Sequence, residues 1–291
     1  TARHGACHSR RDYLEYHANV FPDYSNLLFL KGQPIALLPA HRQDDMLCSH
    51  RGLTYGGLVL LPGATAERVR AIFDVMAGPL PAQGIGQLRY KGLPHHLHRY
   101  PAEEDRYALF GRNVSLVACN IASVVDLSAP LRFSELRRRG VRRAQASGVS
   151  VGESDAWADF WEILKDNLAQ RFGAQPVHTL DEMLHLHTLF PENIRLFTAT
   201  LDSRVVGGTV VYECGHCVRV QYISASACGK ECAALDLLFA YLLQERYADR
   251  RYFDFGTSNG DDGHYLNEGL IAQKEGFGGR GIVYETYLLT F

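Results

Sequence analysis

The stretch from residue 194 to residue 225 constrains the fold more than any other part of the sequence. It contains three strand-like segments joined by tight turns, at Ile194 to Leu201, Val205 to Glu213 and Val218 to Ala225. Strand-like segments this close together pair as an antiparallel meander. A helical pattern follows over Ala233 to Tyr247. Strands followed by a long helix predict a layered domain of the α/β class.

Helical and strand-like patterns continue on both sides of the meander. The predicted elements are a helix capped by Ser134 and closed by Gly148, helices at Trp157 to Arg171 and Leu180 to Leu189, a strand at Tyr252 to Phe255, a helix from about Leu266 to Glu275 and a final strand.

The first half of the chain repeats part of this order. A hairpin pairs Asn26 to Leu30 with Ile35 to His41, a strand covers Gly57 to Leu61, and a helix covers Ala64 to Met76. The repetition suggests an internal duplication. We expect two tandem domains, residues 1–126 and 127–291, each a mixed, mostly antiparallel sheet flanked by helices.

Length and composition limit the functional classes. The 291 residues are 46% apolar and 21% charged, which is ordinary for a chain that buries a large core. The formal charge of −2 gives the chain no overall electrostatic attraction to DNA or to an anionic membrane, although it does not exclude a local basic patch. No apolar run approaches the roughly 20 residues of a membrane span. Seven irregularly spaced cysteines favour reduced thiols and a cytoplasmic location.

Cysteine and histidine clusters do not favour a metal site. Cys214 and Cys217 form a CxxC pattern that Cys228 and Cys232 would have to complete for zinc. A strand between Cys217 and Cys228 would hold them roughly 25 Å apart, too far for one ion. His95, His96 and His98 are interpreted as loop residues, because extended backbone sends neighbours to opposite sides. We expect no metal.

Two polar segments are candidates for ligand contact. Ser49 to Gly57 (SHRGLTYGG) is either a bulged strand or a ligand-facing segment that presents His50 and Tyr55. His178 lies just before Thr179, which can cap the next helix, so His178 is either a loop residue or a ligand contact.

A glycine-rich loop follows the predicted strand at Tyr252 to Phe255. Gly256 to Gly260 matches the G-x-S-x-G hydrolase pattern, but His264 is too near to act as the partner of a serine nucleophile. A substrate-binding loop is favoured, in which Ser258, Asn259 and Asp254 are suited to form hydrogen bonds to a polyhydroxylated or amide-bearing ligand.

Two basic segments carry the remaining candidates. Gly229 and Lys230 precede a helix N-terminus that either binds phosphate or simply starts a helix. The arginine run at 137–143 either holds phosphate or forms a solvated face. Lys274 either complements a helix C-terminus or donates to the oxyanion of a tetrahedral intermediate.

The segments SHRGLTYGG, YFDFGTS (Tyr252 to Ser258) and LNEGLIAQKEGFGG (Leu266 to Gly279) resemble the FemAB-like branch of the GNAT acyltransferase superfamily. The resemblance spans nearly the whole chain and implies two tandem GNAT-type domains. Fem-type peptidyl transferases carry a GL…FK-x-GFG pattern whose lysine is implicated in acyl transfer, and this role carries over to Lys274. Gln273 stands where that pattern has phenylalanine. The long helical insertion by which some Fem proteins engage tRNA is not apparent.

The resemblance implies an N-acyltransferase with an amine acceptor, such as an amino sugar or a related precursor of cell-surface polysaccharide. Acyl-CoA is the expected donor, with Gly229 and Lys230 at its phosphates, and aminoacyl-tRNA is the alternative. Lys274 would stabilise the oxyanion, and Asp254 or His50 would help to remove the amine proton. The acceptor is expected in a cleft between the domains. Its predicted contacts are Tyr55, His178, Gln221, Ser258 and Asn267. A non-catalytic module that binds sugar or peptide is the rival outside the enzymes.

Overall fold

The computed structural model describes residues 21–49 and 54–291. The chain folds into two compact units. Unit 1 contains the described residues up to Ile121 together with Asn259–Leu266 and Ile282–Phe291, and unit 2 contains Ala122–Ser258 and Asn267–Gly281. The boundary expected between residues 126 and 127 stays a prediction, and units built from interleaved segments were not anticipated from the sequence.

Secondary structure in the described chain alternates between strands and helices. The strands are β1 (Asn26–Leu30), β2 (Gln33–Leu38), β3 (His41–Gln43), β4 (Met46–Cys48), β5 (Val59–Leu60), β6 (Gln87–Lys91), β7 (Val114–Asp126), β8 (Ser150–Glu153), β9 (Ile194–Leu201), β10 (Arg204–Cys214), β11 (Cys217–Ala225), β12 (Tyr252–Thr257), β13 (Asn259–Gly260), β14 (Tyr265–Leu266) and β15 (Arg280–Thr290). The α-helices are α1 (Ala66–Met76), α2 (Pro79–Ala82), α3 (Glu104–Phe110), α4 (Glu135–Ala146), α5 (Trp157–Phe172), α6 (Leu180–Leu189), α7 (Ala227–Glu231), α8 (Ala234–Tyr241) and α9 (Glu268–Gly276). Ser134 caps α4 and Thr179 caps α6, as predicted.

Unit 1 is built on a small antiparallel sheet, β1-β2-β5, and on a mixed set of strands in the order β3-β4-β6-β15. Within that set β4 and β6 are parallel and the other pairs are antiparallel. The predicted β1–β2 hairpin is confirmed. The strand predicted from Ile35 to His41 is wrong in its second half, because β2 ends at Leu38 and His41 begins β3. Pro39 explains the break, since it has no N–H for the ladder.

The core of unit 1 lies between α1 and the sheets. Phe73 is fully buried beside Tyr90 of β6, with ring centroids 5.8 Å apart. The Tyr90 hydroxyl donates to Asp105 and accepts the Leu58 N–H at 2.9 Å. Burial raises the pKa of Tyr90 well above its usual value. Tyr90 therefore stays neutral and serves as a structural hydrogen-bonding group.

Unit 2 contains the predicted meander. Strands β9, β10 and β11 pair antiparallel in sequence, and β8 extends the sheet beside β9. On the other edge β12 runs parallel to β11 and antiparallel to β7. A parallel pair needs a crossover, which α8 and the π-helical turn Leu242–Arg246 provide. That turn replaces the last part of the single helix predicted over Ala233 to Tyr247.

Helices cover the sheet of unit 2 and close its core. Helix α5 packs on β10 and β11, while α8 packs on β8, β9 and β10 and against α4. An aromatic cluster formed by Phe239, Phe253, Phe255 and Phe277 fills the centre, with ring centroids 5.0 to 6.2 Å apart. No helix within the described ranges combines the length and the apolar character needed to cross a membrane.

Six cysteines fall in the described residues, and all six carry free thiols. Cys214 and Cys217 face each other across the β10–β11 hairpin, whereas Cys228 and Cys232 lie at α7. The part of the chain that the structure describes contains no group of three or more His, Cys, Asp and Glu residues arranged to hold a metal ion.

Helix α7 approaches β10 so closely that residue 229 must lack a side chain. A Cβ built on Gly229 would lie 2.0 Å from the Val206 carbonyl oxygen, which is fixed in the sheet. We expect Gly229→Ala to destabilise the protein by about 1–3 kcal/mol, because the backbone must shift to relieve the overlap. Urea unfolding measures the change. Gly152→Ala is the matched control, since its Cβ meets nothing within 4 Å, and an equal loss in both variants would contradict the steric explanation.

Candidate active site

Strands β11 and β12 separate shortly after they begin to pair. Their parallel register covers three pairs, of which Arg219↔Asp254 is the last. Each strand carries an irregularity just beyond that pair. In β11 the register against β10 shifts around Gln221. In β12 it shifts against β7 between Asp254 and Thr257, where Gly256 has a φ of +73°. Because the strands diverge, the backbone groups beyond this pair need partners outside the β11–β12 ladder.

Lys274 lies at this separation with its ammonium group fixed. The residue is in the last turn of α9 and is 6% exposed. Its Nζ donates to the carbonyl oxygens of Gly256 at 2.9 Å and Thr257 at 2.7 Å. An ammonium has three donors, so one N–H remains beyond these two contacts. The geometry does more than complement the helix C-terminus, since Lys274 joins α9 to the bulge in β12.

Burial sets the charge state of Lys274. Desolvation lowers its pKa to about 8, Asp254 opposes that shift, and Arg219 adds to it. Because the pKa remains above neutral, the ammonium form dominates at pH 7 and is lost as the pH rises through about 8.

Asp254 is completely buried beneath the separation of the strands. Its Oδ1 accepts the backbone N–H of Gly256 at 2.7 Å, and its Oδ2 lies 3.8 Å from Nε of Arg219. The carboxylate thus holds the bulge in shape and balances two cations, Arg219 and Lys274. Arg219 was not predicted as a site residue, because an arginine inside a strand pattern carries no motif of its own.

Ser258 and Asn267 meet at the start of α9. The Ser258 side chain is fully buried, and its Oγ has no hydrogen-bond partner among the described residues. Asn267 donates its backbone N–H to the Ser258 carbonyl at 2.9 Å and caps α9 through Oδ1, which accepts the Leu270 N–H at 3.0 Å. The Asn267 side chain therefore has a structural partner, while the Ser258 hydroxyl has capacity for a ligand.

Gln221 and His178 belong to one polar chain along β11. The Gln221 Oε1 accepts from Arg219 at 3.2 Å. Gln221 also forms a side-chain hydrogen bond with Tyr222. The Tyr222 hydroxyl lies 2.6 Å from Nδ1 of His178 and accepts the His178 backbone N–H at 3.2 Å. Tyr222 was not predicted as a site residue, because a tyrosine in a buried strand is typical of a core.

A cavity of about 620 Å³ lies beside the same helix, α9. Gly229 and Lys230 line it, as do Ala225 at the end of β11 and Gln273 next to Lys274. Its other wall is helix α4, which contributes Arg137, Arg139 and Arg143. The two basic segments that the sequence presents separately thus line one cavity.

The charges in this cavity are strongly unbalanced. Asp236 is the only carboxylate among the described residues that line it, and the Arg137 Nη1 donates to it at 2.6 Å. Burial raises the pKa of Asp236, and Arg137 opposes that shift. Gly140 permits this close approach of α4 and α8, since a Cβ there would lie 1.7 Å from Oδ2 of Asp236. Arg139, Arg143 and Lys230 bring three further positive charges to the lining, a composition suited to an anion. Arg139 also lies 3.9 Å from Glu135, and the Lys230 ammonium donates to Oδ1 of Asn167.

The other predicted site residues belong to unit 1. Tyr55 is buried, with its ring 6.1 Å from that of Tyr284. Ser49 is held by β6, because its Oγ accepts the Lys91 N–H at 2.7 Å. His50 lies outside the described residues. The site roles assigned to Tyr55 and His50 stay predictions.

Comparisons with known proteins agree with this architecture. The family model described as acetyltransferase (GNAT) domain matches residues 134–265. A search of curated protein sequences gave no match.

Solved structures match nearly the whole chain at low sequence identity. The crystal structure of FemX is 11% identical and covers 98% of this chain and 93% of its own, with a TM-score of 0.69. A conserved protein of unknown function from Bacteroides thetaiotaomicron is 12% identical, with coverage of 100% and 93% and a TM-score of 0.65. L-PGS from Bacillus licheniformis is 12% identical, with coverage of 98% and 92% and a TM-score of 0.61.

These similarities concern the fold, and they confirm the predicted α/β class with a mixed sheet flanked by helices. The family match covers the segment that contains the meander and most of the residues that line the basic cavity. Residues 134–265 of this chain are similar to the GNAT acetyltransferase domain.

Proposed function

We propose that unit 2 transfers an acyl group from acyl-CoA to an amine. The observation that carries the proposal is the basic cavity beside α9, in which Gly229 and Lys230 face the arginines of α4. Coenzyme A carries a diphosphate and a third phosphate, and these groups need several cations and backbone N–H donors. The cavity supplies the cations within one unit.

The cavity and the candidate catalytic group are adjacent on α9. Ala272 and Gln273 line the cavity, and Lys274 follows them in the chain. A donor with its phosphates at Lys230 and the α4 arginines would extend its thioester toward the place where β11 and β12 diverge. The carbonyl would then meet the ammonium of Lys274 and the hydroxyl of Ser258.

Lys274 would act on the charge that develops during acyl transfer. Attack by the amine on the thioester carbon turns the carbonyl oxygen into an oxyanion, and expulsion of the thiolate then restores the carbonyl. A preorganised donor in a buried site stabilises that oxyanion strongly. The hydrogen bonds to Gly256 and Thr257 fix the ammonium beforehand, so no reorganisation is needed during the reaction.

The acceptor is proposed to be an amino sugar or a related precursor, held in part by Gln221, His178 and Ser258. Asp254 is fully buried, which favours a role in holding Gly256 and balancing Lys274. Proton removal by Asp254 or His50 stays a prediction, as do the other acceptor contacts, Tyr55 and Asn267.

An aminoacyl-tRNA donor is the second candidate. The resemblance to Fem-type transferases and the fold similarity to FemX favour it, and the same cations would suit an RNA phosphate. A non-catalytic binding module predicts ligand affinity without turnover. Titrating coenzyme A and uncharged tRNA separately into the protein distinguishes these donors.

Replacing Lys274 tests the oxyanion role. We expect Lys274→Met to lower kcat by roughly 100- to 1,000-fold, because it removes a positioned donor. Release of the coenzyme A thiol from acetyl-CoA, with a panel of amino sugars, measures turnover. Unchanged turnover in a folded Lys274→Met protein would contradict the assignment.

The lowered pKa of Lys274 gives a second test, in the pH dependence. At equal concentrations of unprotonated amine, wild-type kcat/KM should fall as the pH rises above about 8, because the ammonium is lost. Lys274→Arg keeps its charge over this range, so any residual activity should not fall there. A wild-type rate that is flat from about pH 7 to about pH 9.5 would show that the charge of Lys274 is not required.

The influence of Asp254 on Lys274 can be measured without a substrate. We expect Asp254→Asn to lower the pKa of Lys274 below its value of about 8, because the carboxylate favours the ammonium. The sequence has five lysines, so ¹³Cε-labelled lysine gives a spectrum simple enough to follow each titration. Asp249→Asn, at a residue whose side chain is 78% exposed, is the control. An unchanged midpoint in Asp254→Asn would contradict the coupling.

The arginines of α4 test the donor site. We expect Arg139→Ala and Arg143→Ala each to weaken coenzyme A binding by roughly 10- to 100-fold, because a hydrogen bond to a charged phosphate is lost. Arg142→Ala is the control, since Arg142 lies on the same helix, bonds to Glu135 at 3.0 Å and does not line the cavity. Calorimetric titration measures all three. Equal weakening in all of them would indicate a diffuse charge effect, not a binding site.

A further inference from the structure

A second cavity, of about 460 Å³, lies on the other side of α4 within unit 2. Its walls come from the end of β7, the π-helical turn and the loop that leads into α4. The apolar side chains that line it include Val125, Leu127, Leu131, Phe133, Leu243 and Phe277. Its size is in the range of small-molecule sites. None of its lining residues belongs to the basic cavity, and none accepts a hydrogen bond from the Lys274 ammonium.

Buried apolar side chains form the wall of this cavity. Val125, Leu243 and Phe277 are each less than 5% exposed. The Phe133 ring packs edge-on against Phe277, with centroids 5.4 Å apart. Leu131, at the mouth, is 46% exposed. An apolar space bounded by buried side chains and opened beside an exposed leucine suits a hydrocarbon chain.

Two arginines, Arg132 and Arg138, supply the only charges among the described residues of the lining. Arg138 bonds to Glu135 through Nη2, but its Nε is buried and has no hydrogen-bond partner within residues 21–49 and 54–291. Arg132 is exposed, and it forms no ion pair within the described chain. The positive charge at the cavity therefore exceeds the negative charge, and one buried donor is unsatisfied.

We propose that this cavity binds a single-chain amphiphile with an anionic head. The alkyl chain would occupy the apolar interior, and a phosphate or carboxylate would bond to Arg132 and Arg138. An uncharged ligand would leave the Nε of Arg138 unsatisfied, and a small anion would leave the apolar walls uncovered. Only a molecule with both parts fits the lining. The inference is independent of the acyl-transfer proposal, because it uses the opposite side of α4.

Alkyl phosphates are the probe. Octyl, decyl and dodecyl phosphate, each kept below its micelle concentration, are titrated calorimetrically into the full protein. We expect saturable binding at one site, with affinity rising roughly three- to fourfold per methylene until the cavity is full. An alkyl maltoside with the same chain as decyl phosphate should bind at least tenfold more weakly. The fatty carboxylate of equal chain length is titrated in the same way, and its affinity relative to the alkyl phosphate shows which head group the cavity prefers.

Two tryptophan variants localise the binding. Leu131→Trp fills the mouth of the apolar cavity and should weaken decyl phosphate at least tenfold. Leu136→Trp makes the same change at a residue that is 61% exposed and lines the basic cavity, and it should change the affinity less than twofold. Both positions are exposed enough to accept the larger ring, and thermal melts check that each variant is folded.

The arginine variants keep the test decisive if Leu131→Trp does not fold. Arg132→Ala and Arg138→Ala should each weaken decyl phosphate at least fivefold without changing maltoside binding, while Arg142→Ala should change neither. The proposal is overturned if no alkyl phosphate binds saturably, if Leu131→Trp and Leu136→Trp weaken binding equally, or if the maltoside binds as tightly as the phosphate.

Discussion

The buried ammonium group of Lys274, fixed by two backbone carbonyls at a strand bulge, is the interaction on which the candidate site depends. A lone cation in such a place would be costly. The carbonyls of Gly256 and Thr257 accept its hydrogen bonds, and Asp254 supplies the opposing charge. The same carboxylate accepts the N–H of Gly256, so the bulge, the cation and the counter-charge stabilise one another.

The basic cavity depends in turn on close backbone packing. Gly229 lets α7 contact the sheet at Val206, and Gly140 lets α4 approach Asp236. Without these two glycines the arginines of α4 would stand farther from Lys230. Neither glycine has a positive φ, so the requirement at both positions is steric. The geometry of the basic cavity therefore depends on two positions that carry no reactive side chain.

Local sequence patterns predicted much of the fold but only part of the candidate site. The meander from Ile194 to Ala225 was predicted correctly, because its strand-like segments and tight turns are recognisable from neighbouring residues alone. The interleaving of the two units arises from long-range pairing, which no local pattern encodes. Lys274, Asp254 and Ser258 come together at the separated strands, whereas Arg219 looked like an ordinary strand residue. Arg219 is buried beside Asp254 and Gln221. Which residues become its neighbours depends on the pairing of the strands, and the local sequence does not show that pairing.

A thermal-shift titration with coenzyme A and with pantetheine is the most direct test of the donor site. A ligand that binds only the folded protein raises its apparent stability, by about 2.7 kcal/mol at roughly 100 times its Kd. We predict a saturable rise in Tm with coenzyme A and a much smaller one with pantetheine, which lacks the phosphates. No shift at millimolar coenzyme A, or equal shifts with both ligands, would contradict the assignment of the basic cavity to the donor.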